Sequence, residues 1–182
     1  MPDLPFSAQN EQELRILADP EFLAGLDHGR PRPGHPEGAV KWHIADVLGN
    51  VDRWYRQTDF YSPLRLIALI HDTFKYQVDP TRPKTGANHH GHYAHQFAEK
   101  YIDDESTLDV IELHDEAYNA WQKGARDHQW VKAETRAKQL LERLGPTLPL
   151  YSAFFRCDNA TGDKAPEPME WFHKILEKDI GR

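Results

Sequence analysis

The sequence predicts an all-α fold, a single-domain helical bundle spanning residues 1–182, on three observations. Apolar residues recur at three- and four-residue steps along most of the chain. Few windows alternate with the period of two that a strand requires. A length of 182 residues is that of one domain with one sizeable core. Five Trp, seven Tyr and eight Phe supply large surfaces to bury, and the 39% hydrophobic content exceeds that of disordered chains.

The elements follow in order. Gln12 to Gly25 reads as a first amphipathic helix, with Leu14, Leu17 and Ala18 on one face and Pro20 able to split it in two. His28 to Gly38 is too rich in proline and glycine for a helix and is a loop. Ala39 to Gln57 carries Val40, His43, Ile44, Val47, Val51 and Trp54 on one stripe, which places His43 on the buried face. Ser62-Pro63 has the form of an N-cap followed by a first-turn proline, opening a central helix from Leu64 to Tyr76 that is apolar nearly all round up to His71. Asp79 to Gly86 is a second loop, and His89 to Tyr101 resumes the helical pattern. Ser106 can cap a helix running through Leu108, Ile111, His114, Ala117, Tyr118 and Trp121 to Gly124, and Ala133 to Leu144 forms the next, closed by Gly145-Pro146. Leu148 to Cys157 reads as a buried helix, Asn159 to Asp163 as a turn, and Trp171, Phe172, Ile175 and Leu176 mark a last amphipathic helix.

The charge balance excludes some functions. A net charge of −7 and a pI near 5.9, with Lys and Arg scattered among acids, leave no basic stripe for duplex nucleic acid. The longest apolar run, Leu64 to Ile70, is far short of the roughly 20 residues that cross a bilayer, so no membrane partner is expected. The single Cys157 cannot form an internal disulfide and no N-terminal segment resembles a signal peptide, which together point to the cytoplasm. Aromatics on the last helix could form a homodimer contact.

Eleven histidines are an unusual load for this length, and several fall on helix faces that the periodicity sends inward. A lone buried histidine is most often a hydrogen-bonded core residue. That reading weakens as such positions accumulate. His71 and Asp72 end the most apolar helix, where an ionised carboxylate is costly to bury unless a cation or hydrogen bonds compensate. Adjacent side chains on a helix diverge by about 100°, so His71 and Asp72 could serve neighbouring metals, or one could bind while the other bridges. Mixed imidazole and carboxylate donors suit Mn, Fe, Co, Ni or Zn better than Mg, which prefers oxygen alone. His28, His35, His128 and His173 lie in loops or on polar faces and receive no function. Trp121, Trp130 and Trp171 occupy apolar stripes and read as packing rather than a base-stacking platform.

Three segments in order, Val40-Lys-Trp-His43, Leu69-Ile-His-Asp-Thr-Phe-Lys75 and Phe154-Phe-Arg-Cys-Asp158, resemble the HD superfamily of metal-dependent phosphohydrolases, over about residues 39–163. The resemblance implies an HD-type helical bundle with His43, His71, Asp72 and Asp158 as metal ligands. Members with two metals add two histidines between the doublet and the late aspartate. Here His89-His-Gly-His92 and Ile111-Glu-Leu-His114 offer them, the family's register favouring His90 over its neighbours. The second of these motifs is His114-Asp115 where some relatives have paired histidines, which leaves one or two ions open.

The implied activity is hydrolysis of a small phosphate ester, nucleotide or dinucleotide polyphosphate by a metal-activated water, with Asp72 at the centre. Lys75, four residues after His71 and so on its helix face, could donate to a phosphate oxygen or steady the leaving group, or it could simply pair with the helix dipole. Arg82 and Lys84, in the loop between ligand segments, could reach substrate phosphate, although loop cations are usually solvated. Arg156 and Lys164, either side of Asp158, could face the pocket or balance nearby acids. Two other readings compete. Inositol oxygenase and its relatives carry a similar ligand set for di-iron oxygenation, and a non-catalytic module could use the cluster structurally to bind a metal or partner.

Overall fold

Capping chemistry starts the chain's first helices. In the computed structural model, which describes residues 3–180, the Asn10 side chain accepts from the Glu13 N–H at 2.8 Å and opens α1 (Glu11–Ala18). Asp19 ends that helix and its carboxylate caps the next, α2 (Pro20–Gly25), at 2.7 Å from the Glu21 N–H, with Pro20 in the first position. The proline therefore splits the predicted first helix.

The other helices are α3 (Val40–Tyr55), α4 (Tyr61–Ile70), α5 (His90–Ala98), α6 (Glu105–Leu113), α7 (Glu116–Ala125), α8 (Trp130–Leu144), α9 (Leu148–Asn159) and α10 (Glu167–Ile180). The fold is all-α, with no strand among the described residues. Every residue of α4 from Leu64 to Ile70 is buried, as its nearly uniform apolarity requires, and α3, α6 and α9 pack around it. The buried apolar side chains form one contiguous cluster. Within it Phe22, Phe74 and Phe97 meet at one end, and Tyr151, Phe155 and Phe172 at the other.

Four expectations need correction. The central helix begins at Tyr61, so Ser62 lies inside it and does not cap it. It stops at Ile70 rather than Tyr76, continuing after His71-Asp72 as a 3-10 helix (Thr73–Gln77). The Thr73 hydroxyl donates to the Leu69 carbonyl at 2.8 Å, taking over an acceptor that a continuing helix would use. Likewise the single helix expected from Ser106 to Gly124 is two. Asp104, not Ser106, caps α6, accepting from the Thr107 N–H at 2.8 Å, and the chain breaks at His114-Asp115 before α7. The buried Tyr151 hydroxyl serves both sides of that break, accepting from the Ala117 N–H at 3.0 Å and donating to the His114 carbonyl at 3.3 Å.

The aromatics of α10 differ in depth, Trp171 being half-buried. Phe172 is fully buried and the Trp171 ring packs 6.1 Å from that of Trp130. Among the described residues, no helix is long and apolar enough to cross a membrane.

Candidate metal centre

The two helix breaks bring the chemistry together. His71 directly follows α4 and its Nδ1–H donates to the Ala68 carbonyl at 3.0 Å; His114 directly follows α6 and donates in the same way to Ile111 at 2.8 Å. A carbonyl only accepts, so each neutral ring holds its proton on Nδ1 and turns the Nε2 lone pair into the centre. His43 comes from the buried face of α3, with its Nδ1 3.1 Å from Glu37 Oε1. Histidines that ligate metals are oriented in this way by carbonyls and carboxylates. Asp158 is carried on α9, whose end is tied to α3 by Asn50, the Asn50 amide donating to the Cys157 carbonyl at 2.9 Å and to Ala160 at 3.3 Å.

Donor atoms from five segments converge into two adjoining groups. In the first, His43 Nε2 is 2.9 Å from Asp158 Oδ1 and 3.3 Å from His71 Nε2. In the second, His90 Nε2 is 3.0 Å from His114 Nε2 and 3.3 Å from Asp72 Oδ1, while His114 Nε2 is 3.4 Å from that same oxygen. Asp72 belongs to both groups. Its Oδ2 is 3.6 Å from His43 Nε2 and 3.7 Å from His71 Nε2, so one carboxylate offers an oxygen to each side. Ligands about 2.1 Å from a cation and at right angles lie about 3.0 Å apart. The spacings within each group approach that geometry, the widest being His71 Nε2 to Asp158 Oδ1 at 4.0 Å, and both sets of three are able to hold a metal ion.

Electrostatics support the same conclusion. Facing imidazole nitrogens repel unless a cation or a proton lies between them. Burial drives the pKa of His71 down to about 3 and that of His90 to about 4, so both stay neutral near pH 7. His43 and His114 are also pulled down by burial, but Asp158 and Glu37 around the first, and Asp72 and Asp115 around the second, outweigh it and raise them. Burial pushes Asp72 and Asp158 upward, yet Lys75 beside the one and Lys164 beside the other, together with the histidines, hold both carboxyls well below their usual range. The centre is built to keep its carboxylates ionised.

The cavity over this centre has a volume of about 640 Å³. Asp72, His90, His114 and Asp158 form its floor, and Lys75, Lys164, Arg32 and Arg126 are among its walls. Lys75 reaches the Asp72 carboxylate, three residues back, instead of sharing a face with His71, because the intervening segment is a 3-10 helix. Lys84 lies in an adjoining cleft with His89, His90 and Asp115. Arg82 is exposed and lines neither space. Arg156 is a correction: it is exposed and lies over the Trp54 ring at 4.6 Å, because two residues along a helix turn a side chain about 200° from Asp158.

Lys164 is the cation that faces the pocket beside Asp158, donating to Oδ1 at 2.8 Å and to the backbone carbonyl at 2.9 Å. Trp121, read from its stripe as packing, stands on the cavity wall and stacks with Tyr118 at 6.0 Å. His35 and Glu37 were missed. Their Nδ1 and Oε1 pair at 2.9 Å, and Glu37, held down to about 2 against the effect of burial by His43 and His35, orients His43. The only signal for them was a His-Pro-Glu run in a loop six residues before His43. Comparisons with protein-family models, with curated proteins and with solved structures find no significant match to this chain.

Proposed function

We propose that the chain is a metal-dependent phosphohydrolase with a dinuclear centre of the HD kind, acting on a small phosphate ester or nucleotide. The observation that carries this reading is the division of the Asp72 carboxylate, Oδ2 toward His43 and His71 and Oδ1 toward His90 and His114. A bridging carboxylate with imidazoles on both sides suits two transition ions, Mn, Fe, Co, Ni or Zn, better than Mg. Ions held there would lower the pKa of a water nucleophile and neutralise charge on non-bridging phosphate oxygens.

The protein's own side chains supply the rest. Lys75 and Lys164 stand at Asp72 and Asp158 in the cavity lining, where each ammonium can exchange its carboxylate for a phosphate oxygen. Arg32 and Arg126 line the same cavity. A di-iron oxygenase would use the same ligands; what favours an anionic substrate is that ions held on Asp72 and Asp158 would offset the cavity's carboxylates and leave Lys75, Lys164, Arg32 and Arg126 to face it.

The test is direct. Chelator-stripped protein reconstituted with Mn, Fe, Co, Ni, Zn or Mg is assayed for phosphate release from a panel of nucleotides and phosphate esters. Release that returns only with metal supports the reading; silence with every ion and substrate defeats it. Oxygen uptake by the iron form would move the assignment to the oxygenase.

A further inference from the structure

The doublet His114-Asp115 repeats the local structure of His71-Asp72. In both, the histidine directly follows a helix and its Nδ1–H donates to the carbonyl three residues earlier. In both, the aspartate has nearly the same backbone, φ −105° and ψ −10° at Asp72 against φ −100° and ψ 3° at Asp115. Both side chains of the first doublet face the centre, and in the second His114 does so with Asp115 beside it.

Asp115 has the position for a role at that centre. Its Oδ2 lies 4.0 Å from His90 Nε2, which belongs to the second group, and its Oδ1 is buried without a hydrogen-bond partner. A carboxylate oxygen in that state is costly unless a cation or donor reaches it. His89 cannot itself be the missing ligand. Its Nδ1 accepts from the Gly91 N–H at 3.1 Å, so its proton lies on Nε2, which faces Asp115 Oδ2 at 3.2 Å. With Nδ1 taken by that N–H, the ring in this arrangement offers no lone pair to an ion. Gly91 fixes this arrangement, since a Cβ there would fall 2.4 Å from the Glu112 carbonyl.

Resting on the dinuclear reading above, we propose that Asp115 is a further ligand of the second cation, its carboxylate steered by the His89 N–H. Asp115 then joins Asp72, His90 and His114 from the neighbouring set that it forms with His89 and His90. Of the adjacent histidines, His90 binds the ion and His89 orients a neighbour.

Metal-stripped wild type, Asp115→Asn and His89→Ala proteins are titrated with Mn²⁺ by calorimetry, and bound metal is counted by elemental analysis after dialysis. The wild type is expected to take two ions. Asp115→Asn should lose or weaken the second at least tenfold while leaving the first unchanged, and His89→Ala should weaken the second by roughly tenfold, as loss of an orienting partner does. Melting curves establish that each variant is folded, and His89→Ala carries the test alone should Asp115→Asn not fold. Two ions bound with wild-type affinities in the folded variants would overturn the inference while leaving the dinuclear centre standing. A wild type that binds no ion defeats both.

Discussion

Arg65 closes both prongs of its guanidinium on Glu13, Nε to Oε1 and Nη2 to Oε2, each at 2.9 Å, and both side chains are buried. The pair ties α1 to α4, the helix that delivers His71 and Asp72. A third contact, Arg65 Nη1 to Asp52 Oδ1 at 3.1 Å, adds α3. Removing Glu13 takes both bidentate bonds from the buried guanidinium and leaves it the Asp52 carboxylate and the Ser7 carbonyl, a loss of up to about 3–5 kcal/mol. Glu13→Ala is therefore expected to lower unfolding free energy by that order in urea titrations. A loss under about 1 kcal/mol would show that the pair is not holding these helices together.

Gly25, at the end of α2, touches the segment just beyond Asp72. A Cβ there would lie 1.8 Å from the Thr73 carbonyl oxygen, a backbone atom that cannot give way without moving its neighbours. Gly25→Ala should lower the melting temperature and weaken metal binding together. Unchanged metal affinity in a folded variant would mean that α2 does not position the doublet.

Ligand substitutions should separate the two metal groups. His71→Ala removes a donor from the first group only, and is expected to leave one tightly bound ion in elemental analysis. Asp72→Asn weakens both, because its two oxygens are divided between them, and should reduce turnover by at least about a hundredfold if the proposed hydrolysis holds. Equal stoichiometry in the two variants would contradict the bridging arrangement.

The Tyr101 hydroxyl donates to Asp19 Oδ2 at 2.6 Å, and this bond gives stability a pH signature far from the metal centre. Burial raises Asp19, but Tyr101 and nearby backbone N–H groups outweigh it and lower the carboxyl below 3.8, while Asp19 pushes Tyr101 up to about 12. A lowered acid stabilises above its unfolded pKa and loses that as pH falls through the folded value. A raised phenol stabilises below its unfolded value near 10 and loses that as pH rises toward about 12. The melting temperature of Tyr101→Phe should therefore trail the wild type by a constant margin from about pH 4 to 10, narrowing on either side. A margin that does not change with pH would remove the charged hydrogen bond as its cause.

Much of this molecule was legible in one dimension. The stripe on α3 placed His43 inside, and the uniform apolarity of α4 made it central, because helical periodicity reports directly which side chains leave water. Periodicity could not show where helices stop. The breaks after His71 and His114 depend on the Thr73 and Tyr151 hydroxyls satisfying backbone groups, and Tyr151 is 37 residues away from His114 in sequence.

By itself, then, the sequence determined an all-helical chain with an inward-facing supply of imidazole and carboxylate in a fixed order. Only the tertiary structure decided that Asp72 stands between two groups, that Lys164 rather than Arg156 faces the cavity, and that Glu37 and Asp115 adjoin those groups. The physical reason is that burial is a property of a helix face, readable from spacing, whereas convergence is a property of how helices cross and end. Those ends are set by contacts between residues the chain keeps far apart.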